Sequence, residues 1–156
     1  MKARIIKPPN EIILDEKTPS IFLAGSIEMG VAEDWQSRFE KALNHYSVTI
    51  LNPRREQWDA TWEQTIENQV FRKQVEWELE AQEKANLIAM YFVPETKSPI
   101  TLLELGLFAH SNKLLVCCPD GFWRKGNVDI VCKRYNIDTV SSLEELIIRV
   151  KTLINL

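Results

Sequence analysis

Three runs of apolar residues stand out along the chain, at 21–24, 87–93 and 113–118. Each is as long as a β-strand and lacks the alternation of a strand with one wet face, so each predicts a strand buried on both sides. Shorter runs at 48–51 and 137–140 predict two more. Between these runs the apolar positions change to a helical period. Trp35, Phe39, Ala42, Leu43 and Tyr46 form one stripe, and Leu143, Leu146, Ile147, Val150, Leu153 and Ile154 form another, capped by Ser141 or Ser142. A long helix is predicted within 61–85, with a break near 65–68. Its packed face is marked either by Ile66, Val70, Trp77 and Ala81 or by Phe71, Val75, Leu79 and Gln82. Ser98 and Pro99 supply an N-cap and a first-turn proline for a helix from Ile100, and a shorter helix is predicted around 128–135.

Five strands alternating with helices predict a three-layer α/β domain. The sheet is parallel and doubly wound, and its flavodoxin-like strand order is 2-1-3-4-5, counted from the run at 21–24. The domain spans 20–156. Residues 1–19 carry Ile5-Ile6 and Ile12-Ile13-Leu14 around Pro8-Pro9-Asn10, and read as an extended arm or hairpin that covers a sheet edge of its own subunit or of a neighbour.

The 156 residues fit one domain, and a formal charge of -3 gives no reason to expect a nucleic-acid polymer or an anionic membrane as partner. No apolar stretch approaches a transmembrane length and no signal peptide is expected, so the chain reads as a soluble cytoplasmic protein. Cys117, Cys118 and Cys132 fall in apolar elements as reduced thiols and have no zinc-ligand spacing; neither metal nor cofactor is expected.

In such a fold ligands bind beyond the carboxyl ends of the strands, which is where the loops 25–30, 52–59 and 93–99 converge. They bring Gly25, Ser26, Glu28, Asn52, Arg54, Arg55, Trp58, Asp59 and Ser98 to one edge. Glu104 follows in the second turn of an otherwise apolar helix, where a carboxylate must be solvated, paired or used chemically. Paired carboxylates suit glycosyl transfer. The G-S-I-E-M-G turn is neither a dinucleotide fingerprint nor a phosphate loop, and no histidine is placed for a serine triad.

The strings I-F-L-A-G-S-I-E-M-G-x-A-x-D-W-Q (21–36), N-P-R-R-x-x-W-D (52–59) and S-P-I-T-L-L-E-L-G-L-F-A (98–109) resemble the nucleoside 2-deoxyribosyltransferase-like family. The resemblance covers roughly 20–118, including the connecting Q-V-x-W-E-L-E segment. It implies that Glu104, in Leu103-Glu104-Leu105-Gly106, attacks the anomeric carbon of a 2-deoxynucleoside and holds the sugar until a base or water completes the exchange. Related enzymes of this fold hydrolyse deoxynucleoside monophosphates, a substrate that Arg54 or Arg55 would suit. The resemblance also implies a homo-oligomer, for which the apolar helix at 102–108 offers a surface.

The expected function is therefore transfer or hydrolysis at the N-glycosidic bond of a small nucleoside or nucleotide. Glu104 is the nucleophile, and Asp59 or Glu28 assists departure of the base. Gly25, Ser26, Asn52, Arg54, Arg55, Trp58 and Ser98 are expected to bind substrate. The alternative is a nucleotide- or nucleotide-sugar-binding regulatory module without turnover, to which Asn86 and the absence of a tyrosine from the first loop point.

Overall fold

The computed structural model describes residues 2–28, 32–55 and 59–154. The predicted strands appear as β2 (Ser20–Gly25), β3 (Thr49–Leu51), β4 (Leu87–Tyr91), β5 (Leu114–Cys117) and β6 (Asp138–Val140), with β1 (Arg4–Ile6) added by the arm. All pairings are parallel and the order is β1-β3-β2-β4-β5-β6. The five expected strands thus hold the expected flavodoxin-like order, and the sixth extends the β3 edge.

Burial on both faces explains the unbroken apolar runs. In β2, Phe22 and Ala24 enter one core while Ile21 and Leu23 enter the other; in β4, Ile88 and Met90 oppose Leu87, Ala89 and Tyr91. Helices α1 (Trp35–Leu43) and α5 (Leu143–Leu153) cover one face through Trp35, Phe39, Leu146 and Val150. Helices α2 (Gln69–Lys84), α3 (Pro99–Phe108) and α4 (Lys125–Arg134) cover the other through Trp77, Ala81, Leu105 and Val128. Because α1 enters β3 from one face and α2 leaves it on the other, the winding reverses between β2 and β4. That reversal sets the crevice at their carboxyl ends.

The arm lies against its own subunit. Ile6 and Ile12 are buried in the core beneath α2, the Trp77 indole donates to the Asn10 carbonyl at 2.8 Å, and Arg4 Nη1 donates to the Ile13 carbonyl at 3.0 Å. A three-residue strand on an edge tolerates the prolines that follow it.

Helix α2 begins later than the pattern predicts. Asn68 accepts from the Phe71 amide at 3.0 Å and caps it, so the anticipated break is the helix start, and the residues before it form turns. Its buried face is Gln74, Trp77, Ala81 and Gln82, which joins Trp77 and Ala81 of one predicted stripe to Gln82 of the other, while Ile66 and Val70 are exposed. Gln74 escapes a reading that follows mainly apolar residues. Helix α4 begins at Lys125, three residues before its predicted start. Among the described residues no helix is long and apolar enough to cross a membrane.

Candidate functional site

The carboxyl end of β2 permits no side chain at Gly25. A Cβ there would lie 2.3 Å from the Tyr91 carbonyl oxygen and 2.7 Å from the Trp35 ring, and the backbone has φ of 153°. The chain then enters Ser26, whose buried hydroxyl accepts from the Val93 amide at 3.0 Å. Ser26 Oγ, Thr96 Oγ1 and Ser98 Oγ form a closed ring, at 2.9 Å between Ser26 and Thr96 and 2.7 Å between Thr96 and Ser98; Ser26 and Ser98 also touch directly. Thr96 gives its proton to the Val93 carbonyl at 2.8 Å, leaving the protons of Ser26 and Ser98 for two of the three contacts of the ring. The ring joins the loops after β2 and β4.

Ser98 occupies the N-cap position of α3, yet its side chain does not cap the helix. It adopts left-handed φ/ψ of 47°/52° and its hydroxyl is spent in the ring. Glu28 reaches from the opposite loop to the backbone just before the helix, with Oε1 accepting from the Lys97 amide at 2.8 Å and the Ser98 amide at 2.7 Å. A carboxylate at a helix N-terminus is favoured both by the free N–H groups and by the helix dipole.

The loop after β3 separates the two arginines. Asn52, buried, donates to Glu40 Oε1 at 2.6 Å and accepts from the Arg54 amide at 2.9 Å. Arg54 donates to the Ala32 and Glu33 carbonyls, both at 3.3 Å, and to Gln36 Oε1 at 3.2 Å, with Asp34 at 3.8 Å. It clamps the approach to α1. Arg55 turns the other way: Nη1 donates to Gln74 Oε1 at 3.4 Å, and the guanidinium lies 5.1 Å from the Trp62 ring centroid. Gln74 in turn donates to the Pro53 carbonyl and to Glu78 Oε1, both at 3.1 Å.

Glu78 leads to Glu104. Glu104 is 9% exposed on α3, and the carboxyl is pushed up to about 8, first by burial and then by the charge of Glu78; a hydrogen bond from Gln82 acts in the opposite direction. Burial raises Glu78 to about 7 against the hydrogen bond from Gln74. Buried Glu104 and half-buried Glu78 are therefore coupled across α2 and α3 and titrate as a pair. Gln82 is fully buried, with Nε2 donating to the Glu78 carbonyl at 3.2 Å and Oε1 left without a partner.

The other expected residues fall elsewhere. Asp59 is exposed and its Oδ1 accepts from the Thr61 amide at 2.9 Å and the Thr61 hydroxyl at 2.6 Å, bonds that lower its pKa and mark a turn. Trp58 lies outside the described residues. Asn86 stands at the amino end of β4, where Oδ1 accepts from the Ser20 amide and hydroxyl at 2.8 and 2.9 Å, so it fastens β2 to β4 at the edge opposite the crevice. Burial raises the thiols to about 12 for Cys117 and about 11 for Cys118 and Cys132, which keeps all three protonated in the core. A depression of about 370 Å³ lies at the amino ends of β4, β5 and β6, and one of about 260 Å³ lies between Pro8-Pro9 and α2, beside Arg55 and Gln74. The first is on the wrong edge for the acid pair.

Sequence reasoning passed over Glu78 and Gln74 and took Gln82 only as a marker of a packed face. A signal was present: Gln74, Glu78 and Gln82 are four apart and so share one side of α2, where both glutamines are buried.

A family model described as "Nucleoside 2-deoxyribosyltransferase like" matches residues 18–122. Among solved structures, that of a conserved protein from Enterococcus faecalis V583 is similar, with a TM-score of 0.61 at 13% identity, covering 86% of this chain and 98% of that one. The likeness is one of fold. No curated protein matches the chain.

Proposed function

The chain belongs to the nucleoside 2-deoxyribosyltransferase-like family, and from that premise we propose that it breaks the N-glycosidic bond of a small 2-deoxynucleoside or nucleotide through Glu104, with Glu78 as the acid for the departing base. The observation that carries this reading is the coupled Glu78–Glu104 pair, with Glu104 buried and Glu78 half-buried. In the first step a Glu104 oxygen attacks C1′, the C1′–N bond breaks with its electron pair going to the base nitrogen, and the Glu78 proton passes to that nitrogen. In the second, the nitrogen of an incoming base attacks C1′, its proton goes to Glu78, and the ester bond to Glu104 breaks. Water in place of the base gives hydrolysis.

Attack needs the shared proton on Glu78. In the resting protein both acids are held above the ordinary carboxylate range, so the pair keeps a proton near neutral pH. Positive charge developing at C1′ stabilises a carboxylate beside it and draws the proton across to Glu78. Glu28 and Asp59 are poorer choices for the acid, since Glu28 accepts two backbone N–H groups and Asp59 is committed to Thr61. Arg55, rather than Arg54, is the arginine to meet a substrate phosphate, because Arg54 is spent on α1.

The protein acts as a homo-oligomer in this reading. Ile100, Leu103 and Leu107 form an exposed apolar stripe on α3, and a Cβ on exposed Gly106 would meet nothing within 4 Å. Size-exclusion chromatography with light scattering tests this, and a monomer unchanged by Leu103→Glu would sink it.

The function is tested by incubating the protein with deoxynucleosides and their monophosphates, with and without excess adenine or cytosine. Base exchange lost in Glu104→Ala supports transfer, and free base alone supports hydrolysis. Binding with neither product would favour the regulatory-module alternative.

A further inference from the structure

The pocket of about 260 Å³ beside α2 owes one wall to the N-terminal arm, at Pro8 and Pro9. The family match begins at residue 18 and does not account for that wall. The arm is fastened where it lies: Ile6 and Ile12 are buried beneath α2, and the Trp77 indole donates to the Asn10 carbonyl at 2.8 Å. The gap between arm and helix is therefore a fixed concavity, with Arg55 of the β3 loop at its mouth.

Four charged side chains line it, and they are not equally matched. The carboxylates have partners one turn along α2, Glu76 with Arg72 Nε at 3.6 Å and Glu80 with Lys84 Nζ at 2.5 Å. The cations do not. Among the described residues Arg55 meets neutral groups alone, Gln74 Oε1 at 3.4 Å and the Trp62 ring, and exposed Lys73 forms no ion pair. Lys7, the nearest cation along the arm in sequence, has Glu40 at 3.9 Å. The pocket thus holds two positive charges whose counter-charge is missing, and most of the N–H donors of the Arg55 fork are unspent.

We propose that this pocket binds a phosphate monoester of a small organic group, with Arg55 and Lys73 taking the phosphate and the arm covering the remainder. A guanidinium fork beside an ammonium suits the several oxygens of a phosphate. The space exceeds what a bare phosphate fills, and Pro8, Pro9 and Trp77 give the rest of the ligand an apolar wall, as a sugar or other small ring requires. Gln74 is the part of the wall shared with the acid pair, since its Nε2 donates to the Pro53 carbonyl and to Glu78 Oε1, both at 3.1 Å. When Arg55 turns from the neutral Gln74 oxygen to a charged phosphate, the change reaches Glu78 through one side chain. The site itself stands apart from the reading of Glu104, and binding alone tests it.

The experiment is an NMR titration of the nitrogen-15-labelled full chain, paired with calorimetry. The probes are 2-deoxyribose 5-phosphate, deoxyadenosine 5′-monophosphate, inorganic phosphate and, as the uncharged control, 2-deoxyribose. Saturable binding of an ester is expected, with the largest shifts at the Trp77 indole N–H and the Gln74 side-chain amide, and none from 2-deoxyribose. Lys73→Glu and Arg55→Gln should each weaken it by about tenfold or more. Tighter binding of the nucleotide identifies a substrate phosphate as the source, and tighter binding of the sugar phosphate identifies a free one. An ester held equally well by Lys73→Glu, or shifts that bypass Trp77 and Gln74, overturns the proposal. Inorganic phosphate bound as tightly as either ester removes the role given to the arm. Should Arg55→Gln fail to fold, the exposed Lys73 still decides, and absence of turnover leaves every one of these outcomes in force.

Discussion

Glu78, half-buried on α2, raises the cost of ionising the buried Glu104 on α3, and no arginine or lysine ion pair relieves either among the described residues. A pair placed in this way costs stability at neutral pH. The cost is consistent with use in chemistry, and it can be measured.

The sign of the pH dependence follows from the shifts. Both acids hold protons more tightly folded than unfolded, from a starting value of 4.5 to about 7 and about 8. Their contribution is most favourable below the unfolded value. It is lost progressively as pH rises through the folded values, after which it levels off. Denaturant unfolding between pH 4.5 and pH 9 should show this decline, on the order of a few kcal/mol. Glu104→Gln should flatten it and be the more stable protein at pH 9.

Turnover should separate the two acids. Glu104→Ala removes the nucleophile and is expected to abolish exchange. Glu78→Gln should lower kcat by roughly 10²–10⁴ on natural bases, and much less on a deoxyriboside whose leaving group departs without a proton. Equal losses on both substrates would remove Glu78 from the role of acid.

Glu28→Gln addresses the contact at the start of α3. The amide keeps one acceptor oxygen for the Lys97 and Ser98 N–H groups but loses the charge. A loss of stability of about 0.5–1 kcal/mol is expected, with kcat close to that of the intact protein. A drop in kcat matching that of Glu78→Gln would return Glu28 to the catalytic set.

Gly25→Ala should be among the most disruptive single changes. The added Cβ meets a backbone oxygen at 2.3 Å, which no rotamer can relieve, and β2 would have to separate from β4. A loss of about 3 kcal/mol or more is expected in chemical denaturation.

Much of the architecture was legible because the strands are buried on two sides, and apolar residues suit every such position, as in Ile21 to Ala24 and Leu87 to Tyr91. Strand β1 was harder. Ile5 and Ile6 make too short a run, and its pairing with β3 depends on where the arm travels after Pro8 and Pro9. Glu104 was visible as a charge in an apolar helix. Glu78 was not, because Glu76, Glu80 and Glu83 surround it in sequence and the segment reads as a wet face; only the three-dimensional partner reveals which glutamate turns inward. Arg54 and Arg55 could not be told apart from spacing, since adjacent side chains on a loop diverge and their fates depend on α1 and α2.

The hydroxyl ring of Ser26, Thr96 and Ser98 has a mechanical consequence for the acid pair. With Glu28 it makes the β2 and β4 loops one braced wall, cross-linked by several short contacts. The facing wall is lighter, because the β3 loop meets α2 mainly at Gln74, through Pro53 at 3.1 Å and Arg55 at 3.4 Å. The one glutamine that meets the Arg55 guanidinium and the Pro53 carbonyl also donates to Glu78, so a shift of the β3 loop reaches that carboxyl through a single side chain.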